Sequence, residues 1–153
     1  MRHSLHKRDG GLDRRSVLVL ACGAMCSHAL GCGGGSEPPS PPSDVAAGTA
    51  SAIGVGTLHV VSGAPVAVGR DQGGIYAFSL ICTHQGCDIS NGGVVTPSEI
   101  RCPCHGSQFD IRGNVVAAPA TRPLPHLAVT ADMQGNLTVH RGQVVDPATR
   151  LSI

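Results

Sequence analysis

The sequence predicts an all-β fold, a compact domain of antiparallel sheets over residues 51–153 behind an export segment and a linker. Short apolar or β-branched runs alternate with glycine turns from about Ser51 onward. Gly and Pro account for 21 and 11 of the 153 residues, which favours turns over long helices. No stretch of this region has the apolar spacing of a long amphipathic helix.

Residues 1–32 have the layout of an export signal. Positive charges that end at Arg14 and Arg15 precede an apolar run from Val17, which is shorter than the about 20 apolar residues of a spanning helix. The arginine pair resembles a twin-arginine signal, although Val17 stands where Phe is often found. An ordinary secretory signal and a retained transmembrane anchor are the alternatives. We expect a periplasmic location or one on the outer face of the cytoplasmic membrane.

Cys32 closes a second N-terminal pattern. The residues Ala-Leu-Gly-Cys at 29–32 resemble the lipobox of bacterial lipoproteins, in which the cysteine is acylated, although Ala29 replaces the usual Leu. Cleavage by ordinary signal peptidase with release of the protein is the alternative. Residues 33–50 are rich in Gly, Ser and Pro and are predicted to form a linker, because such a segment has no apolar face to bury.

The domain itself is expected to contain nine strands. They are predicted at Ile53 to Val61, Pro65 to Arg70, Gly74 to Ile81, Gly93 to Thr96, Glu99 to Arg101, Gln108 to Ile111, Asn114 to Ala117, Leu127 to Asp132 and Leu137 to Arg141. Residues 71–74, 112–114 and 134–136 are predicted hairpin turns, because Gly and Asn tolerate positive φ.

Charge and composition exclude some functions and point to others. The formal charge of +1 gives no field that would gather nucleic acid. The basic residues are scattered and are interpreted as solvated strand edges, and nothing in the sequence singles out Arg112 or Arg122. Only one Tyr and two Phe are present, with no Trp, whereas seven Cys point to disulfide or metal chemistry.

Two short segments concentrate the cysteine and histidine. Residues 82–87 read Cys-Thr-His-Gln-Gly-Cys and residues 102–107 read Cys-Pro-Cys-His-Gly-Ser. Thiolate and imidazole are ligands of zinc, copper and iron–sulfur centres. A structural zinc site with two Cys and two His is chemically reasonable. However, Cys82 and His84 are separated by one residue, where zinc ligand pairs usually have two to four, and a cysteine in each segment would stay unexplained.

Both segments resemble the two boxes of Rieske iron–sulfur proteins, and the resemblance extends over most of residues 50–143. It implies three small antiparallel sheets with a cluster-binding subdomain at one end. It also implies a [2Fe-2S] cluster and a disulfide between the two boxes. The implied ligands are Cys82 and Cys102 on the buried iron and His84 and His105 on the outer iron, with Cys87 and Cys104 forming the disulfide.

Four further positions are compared with this family. Ser107 matches a serine whose hydroxyl bonds to a bridging sulfide. Phe109 replaces the Tyr of high-potential members, which implies a lower potential, and simple core packing is the alternative role. Gln85 replaces the Leu with which quinol-oxidising subunits dock on cytochrome b. Residues 119–125 resemble the family's proline loop. The other histidines of the domain, His59, His126 and His140, match no motif and are interpreted as surface or strand residues.

These observations predict a one-electron carrier on the outer side of a bacterial membrane, held there by its N-terminal segment or a lipid. It would act alone or as the iron–sulfur subunit of an oxidoreductase of the quinol:cytochrome or arsenite-oxidase type. The expected partners are a cytochrome or oxidase subunit and quinol, with no nucleic acid. Catalysis by the isolated chain is not expected, since no acid, base or nucleophile stands beside the boxes. The alternative is a secreted zinc-stabilised binding module.

Overall fold

Ten strands and one short 3-10 turn make up residues 42–153, which are the residues that the computed structural model describes. The strands are β1 (Val45–Thr49), β2 (Leu58–Val60), β3 (Val66–Asp71), β4 (Gly74–Ser79), β5 (Val94–Val95), β6 (Ile100–Arg101), β7 (Gln108–Phe109), β8 (Val115–Ala117), β9 (His126–Ala131) and β10 (Asn136–Val144), and the 3-10 turn is Ala50–Ala52. Over this part of the chain, no helix is long and apolar enough to cross a membrane.

The strands form two antiparallel sheets, which confirms the predicted fold class. The larger has the order β1-β10-β9-β4-β3-β2 and the smaller the order β5-β6-β7-β8. In the larger sheet β4 meets β9 through two register pairs, Ala77 with Leu127 and Phe78 with His126. This short ladder joins the strands β1-β10-β9 to the strands β4-β3-β2. Two of the three sheets that the resemblance implies therefore form one six-stranded sheet in this chain.

The β3–β4 hairpin separates two apolar cores. Val66, Val68 and Ile75 face one core, whereas Ala67 and Phe78 face the other. Alternate side chains of a strand point to opposite faces, so both faces of this hairpin are buried. The second core carries the site described below, because the chain leaves β4 directly into the first cysteine segment.

All three aromatic side chains of the chain lie in the second core. His126 joins them and is buried, with its ring centroid 6.1 Å from that of Tyr76 and 5.8 Å from that of Phe78. Its Nε2 lies 2.9 Å from the carbonyl oxygen of Arg112. Burial lowers the pKa of His126, and this effect outweighs the hydrogen bond to that carbonyl. The sequence offered a surface or a strand position for His126. The structure places it on a strand, with its side chain in the core.

The structure adds a strand where the sequence predicts a linker. Strand β1 occupies Val45–Thr49 and pairs with β10, with Val45 opposite Val139. Most side chains of β1 are small, so the sequence has no run of large apolar residues here that would predict a strand. Pairing with β10 supplies the interactions that stabilise it. By contrast, the strand predicted from Ile53 is reduced to β2, because the chain turns at Gly56, whose φ is +78°.

A C-terminal segment is anchored across the larger sheet. Leu151 forms an antiparallel bridge with Ile75. The Nε of Arg150 donates to Asp71 at 3.0 Å, and its guanidinium lies 4.6 Å from the centroid of the Tyr76 ring. With its side chain only 14% exposed, Arg150 is not the solvated strand-edge residue that the sequence predicts. The interpretation failed because 79 positions separate Arg150 from its carboxylate partner.

Candidate metal centre

The two cysteine segments are the tips of two hairpins. Loop 1, residues 82–87, lies between Ile81 and Asp88, which pair with each other in an isolated antiparallel bridge. Loop 2, residues 102–107, joins the paired strands β6 and β7. Each loop therefore has six residues between paired backbone segments, and each begins with a cysteine.

The backbone of the two loops closes in the same way. In both, the amide of the first residue donates to the carbonyl of the sixth, at 2.8 Å in loop 1 and 2.9 Å in loop 2. The amide of the fifth residue donates back to the first carbonyl, at 2.8 and 3.1 Å. That fifth residue, Gly86 or Gly106, has a φ of +73° or +79°, a conformation that side chains with a Cβ rarely adopt. The repeated Gly in the two boxes thus has a conformational cause.

A disulfide joins the loops through Cys87 and Cys104, whose Cα atoms are 6.5 Å apart. This is the bond that the resemblance implies. Cys82 and Cys102 stay as thiols and are each only 2% exposed. The sulfur of Cys102 lies within 4.8 Å of both disulfide sulfurs. Those three sulfurs are not a ligand set, because a disulfide sulfur carries no thiolate charge for a metal.

Burial and neighbouring groups act on the protonation of the Cys102 thiol. Burial raises the pKa of the Cys102 thiol, the backbone amides of Cys104 and His105 lower it, and the neighbouring Cys82 raises it again. A thiol in such a place stays protonated unless a positive centre replaces its proton. A bound metal ion would supply that positive charge.

The two histidines of the loops meet at the same end. Their ring centroids are 4.9 Å apart at an interplanar angle of 86°. His84 Nδ1 is buried and has no hydrogen-bond partner among the described residues. A buried nitrogen without a partner costs about 1–3 kcal/mol, and coordination to a metal would remove that cost. His105 is exposed, so the donor set has thiols inside and an imidazole at the surface.

The proline loop, residues 119–125, closes a third side. Ser107, which is fully buried, accepts a hydrogen bond from the amide of Ala120 at 3.0 Å. The hydroxyl of Thr83 donates to the carbonyl of Arg122 at 2.6 Å. Each loop therefore has one side chain bonded to the proline loop. Because the Ser107 oxygen already accepts a bond, its own proton is left to donate to a further acceptor.

Phe109 lies beneath the loops on β7. It is 1% exposed and packs in the second core with Leu80 and Ile100. The structure thus gives Phe109 the packing role that the sequence offered as an alternative, and its effect on a potential stays a prediction. Gln85 is exposed at the tip of loop 1.

Two further histidines lie away from the loops. His59 lies on β2, and His140 on β10 pairs through Nδ1 with Asp44 at 2.7 Å. Arg14, Arg15 and Cys32, on which the export and lipidation predictions rest, lie outside the described residues.

The donor set by itself suits two kinds of centre. Once the disulfide has removed two cysteines, two thiols and two imidazoles are left, and their types fit either tetrahedral zinc or an iron–sulfur cluster. The disulfide accounts for the cysteines that a zinc site left unexplained, so that objection to zinc no longer holds. Comparison with known proteins distinguishes the two centres.

A protein-family model described as the Rieske [2Fe-2S] domain matches residues 42–128, more than half of the chain. The cytochrome bc1 complex Rieske iron-sulfur subunit of Corynebacterium diphtheriae is 47% identical over 77 residues, which cover 49% of this chain and 18% of that protein. The cytochrome b6-f complex iron-sulfur subunit of Synechococcus elongatus is 41% identical over 61 residues, which cover 39% of this chain and 33% of that protein. The match thus covers a minor part of each relative's length.

Solved structures also align with the chain. The plasma membrane Rieske protein of Synechocystis is 31% identical, with a TM-score of 0.42, and the alignment covers 63% of this chain and 98% of that one. A chain in the complex of oxygenase and ferredoxin of carbazole 1,9a-dioxygenase is 29% identical, with a TM-score of 0.46 and coverage of 67% and 95%.

Proposed function

The chain belongs to the Rieske [2Fe-2S] family, and from this premise we propose that it carries single electrons on its cluster between redox partners. The observation that supports the proposal is the pair of loops with matching backbone geometry. They enclose two buried thiols and place two imidazole rings with their centroids 4.9 Å apart. In this proposal Cys82 and Cys102 hold the inner iron, and His84 and His105 hold the outer iron.

The division of ligands decides what the site can do. When bound, the cluster supplies one-electron chemistry at about −150 to +300 mV, because two neutral imidazoles replace two anionic thiolates on one iron. The buried thiolates keep their negative charge away from solvent. At the other end, His105 is exposed, so an electron can reach a partner there.

Neighbouring residues shape the environment of the site. In this proposal the Ser107 hydroxyl donates its proton toward the sulfur atoms of the site. A hydrogen-bond donor there stabilises the more negative reduced form of the cluster. The backbone amides of Cys104 and His105 already act on the Cys102 sulfur in the same sense. The two disulfide-linked loops and the proline loop surround the donor set on three sides.

The cellular setting is also a proposal. We place the domain on the outer side of a bacterial membrane, exported by the Arg14–Arg15 signal and held by acylation at Cys32. The Cys87–Cys104 disulfide supports export, because disulfides persist in oxidising compartments. Mass spectrometry of the mature N-terminus tests the anchor. An acylated Cys32 supports it, and a mature chain that begins beyond Cys32 contradicts it.

The partners are proposed from the relatives. Two of them are named as subunits of the cytochrome bc1 and b6-f complexes, which supports a cytochrome as electron acceptor and quinol as donor. The exposed Gln85 provides no apolar contact where quinol-oxidising members are expected to carry Leu. A free carrier or the small subunit of an arsenite-type oxidase therefore stays within the proposal.

Metal analysis of the full chain tests the central step. Protein expressed in a host that assembles iron–sulfur clusters should be red-brown and contain two irons and two acid-labile sulfides. The Cys102→Ser variant should lose both, whereas the matched His59→Ala variant, altered at an exposed histidine outside the loops, should keep them. A colourless wild-type chain with one zinc would instead support the zinc-stabilised binding module.

A further inference from the structure

The exposed end of the site carries very little charge. Loop 1, loop 2 and the proline loop together contain one charged side chain, that of Arg122, and it is exposed. Other exposed side chains of these segments, such as those of Gln85 and Pro103, carry no formal charge. Arg122 is therefore the one formal charge that these three segments carry.

The five charged side chains of residues 88–112 already have partners within the domain, through ion pairs or hydrogen bonds. Asp88 accepts hydrogen bonds from the amide and hydroxyl of Ser90, and Glu99 and Arg101 pair at 3.1 Å. Asp110 accepts from the backbone amides of Arg112 and Asn114 and from the Asn114 side chain, whereas the Arg112 guanidinium lies 3.6 Å from Asp71. Within residues 42–153, Arg122 has no carboxylate at ion-pair distance. Its charge is thus the one in these three segments that an external partner can use without breaking an internal pair.

The backbone under this charge is held in place. The Arg122 carbonyl accepts the Thr83 hydroxyl at 2.6 Å, which ties it to loop 1. Pro123 follows and restricts the backbone of the preceding residue to extended conformations. Ala120 and Leu124 on either side are buried. A cation on a fixed backbone loses less conformational freedom on binding than one on a loose loop.

We propose that Arg122 is the docking cation of this electron carrier and that it fits a redox protein whose cofactor edge is surrounded by carboxylates. The proposal rests on the proposed function, because docking at this end matters only if electrons leave through His84 and His105. A polar contact with one central charge pair fits a transient complex with rapid association, as electron transfer requires.

Two small oxidants of opposite charge test the proposal. The dithionite-reduced chain is mixed with ferricyanide or with tris(phenanthroline)cobalt(III), and the rates are followed by stopped flow at about 0.01 M ionic strength. For a trivalent ion approaching to about 10 Å, Coulomb's law with screening predicts that Arg122→Gln slows ferricyanide about fourfold and speeds the cobalt complex similarly. Arg122→Lys should keep wild-type rates.

A matched control separates local from overall charge. Arg141→Gln changes the net charge by the same amount on β10, which contributes no residue to the loops, so it should shift both rates by less than twofold. Poly-L-glutamate, as a carboxylate-rich surface, should slow ferricyanide oxidation of the wild type and leave Arg122→Gln unaffected.

The outcomes distinguish the two proposals. If Arg122→Gln and Arg141→Gln have equal effects, or poly-L-glutamate acts equally on wild type and variant, the docking inference is overturned while the electron carrier stands. If the purified chain holds no cluster and takes up no electron, the proposed function is overturned, and the docking inference falls with it.

Discussion

Replacing Ser107 by Ala should change both the stability of the domain and the midpoint potential of its cluster. The Ser107 oxygen accepts the Ala120 amide at 3.0 Å in a fully buried place, so the variant leaves that amide without a partner. The expected cost is about 1–3 kcal/mol of unfolding free energy. The variant also loses the donor that we propose for the cluster, worth about 1–2 kcal/mol more in the reduced state, which corresponds to a potential lower by about 45–90 mV.

Chemical denaturation and a redox titration measure the two effects separately. Ser79→Ala is the matched control, because its hydroxyl also accepts a backbone amide, that of Ile81 at 3.1 Å, but at an exposed position. The control should lose little stability and keep its potential. A Ser107→Ala variant that is destabilised but keeps its potential within about 10 mV would refute the role assigned to the hydroxyl proton.

Three further changes have defined outcomes. Phe109→Tyr should raise the midpoint potential by tens of millivolts in a redox titration, since it restores a hydroxyl donor beside the cluster, and no change or a decrease would contradict this. Gly93→Ala should destabilise the domain by about 1–3 kcal/mol in chemical denaturation, because its Cβ would overlap the carbonyl oxygen of Ile89 and lie 2.8 Å from that of Arg101. Gly92→Ala should lower the free energy of unfolding by less, about 1 kcal/mol, because a Cβ added at this position meets open space. Because burial lowers the pKa of His126 in the folded chain below 6.5, the unfolded chain binds that proton first, and stability falls as the pH drops below 6.5. His126→Gln should show a smaller fall between pH 6.5 and 5 in denaturation at each pH, and an equal fall would contradict the buried, neutral histidine.

The donor residues of the site could be predicted because they are local in sequence. Twelve positions in two uninterrupted boxes contain all four proposed ligands and both disulfide cysteines. The glycine at the fifth position of each loop also follows from a local requirement, the positive φ that closes the turn. The central strands could be predicted for a similar reason, since β3 and β4 are near-continuous apolar runs separated by a glycine turn.

The contacts that could not be predicted join distant parts of the chain. The Thr83 hydroxyl bonds to a carbonyl 39 positions away, and His140 meets Asp44 across 96 positions. Strand β1 was missed for the same physical reason. Its small residues have little preference for a strand on their own, and pairing with β10 stabilises it. Each of these features depends on residues that are distant in the sequence, so the local sequence pattern does not predict it.

Pulsed electron paramagnetic resonance of the dithionite-reduced chain, labelled with 15N in histidine alone, shows whether two histidines bind the cluster. We expect two strongly coupled histidine nitrogens in the wild type and one in the cluster-loaded His105→Ala variant. A reduced cluster with no coupled histidine nitrogen, or a chain without iron, would contradict the assignment of His84 and His105 as ligands.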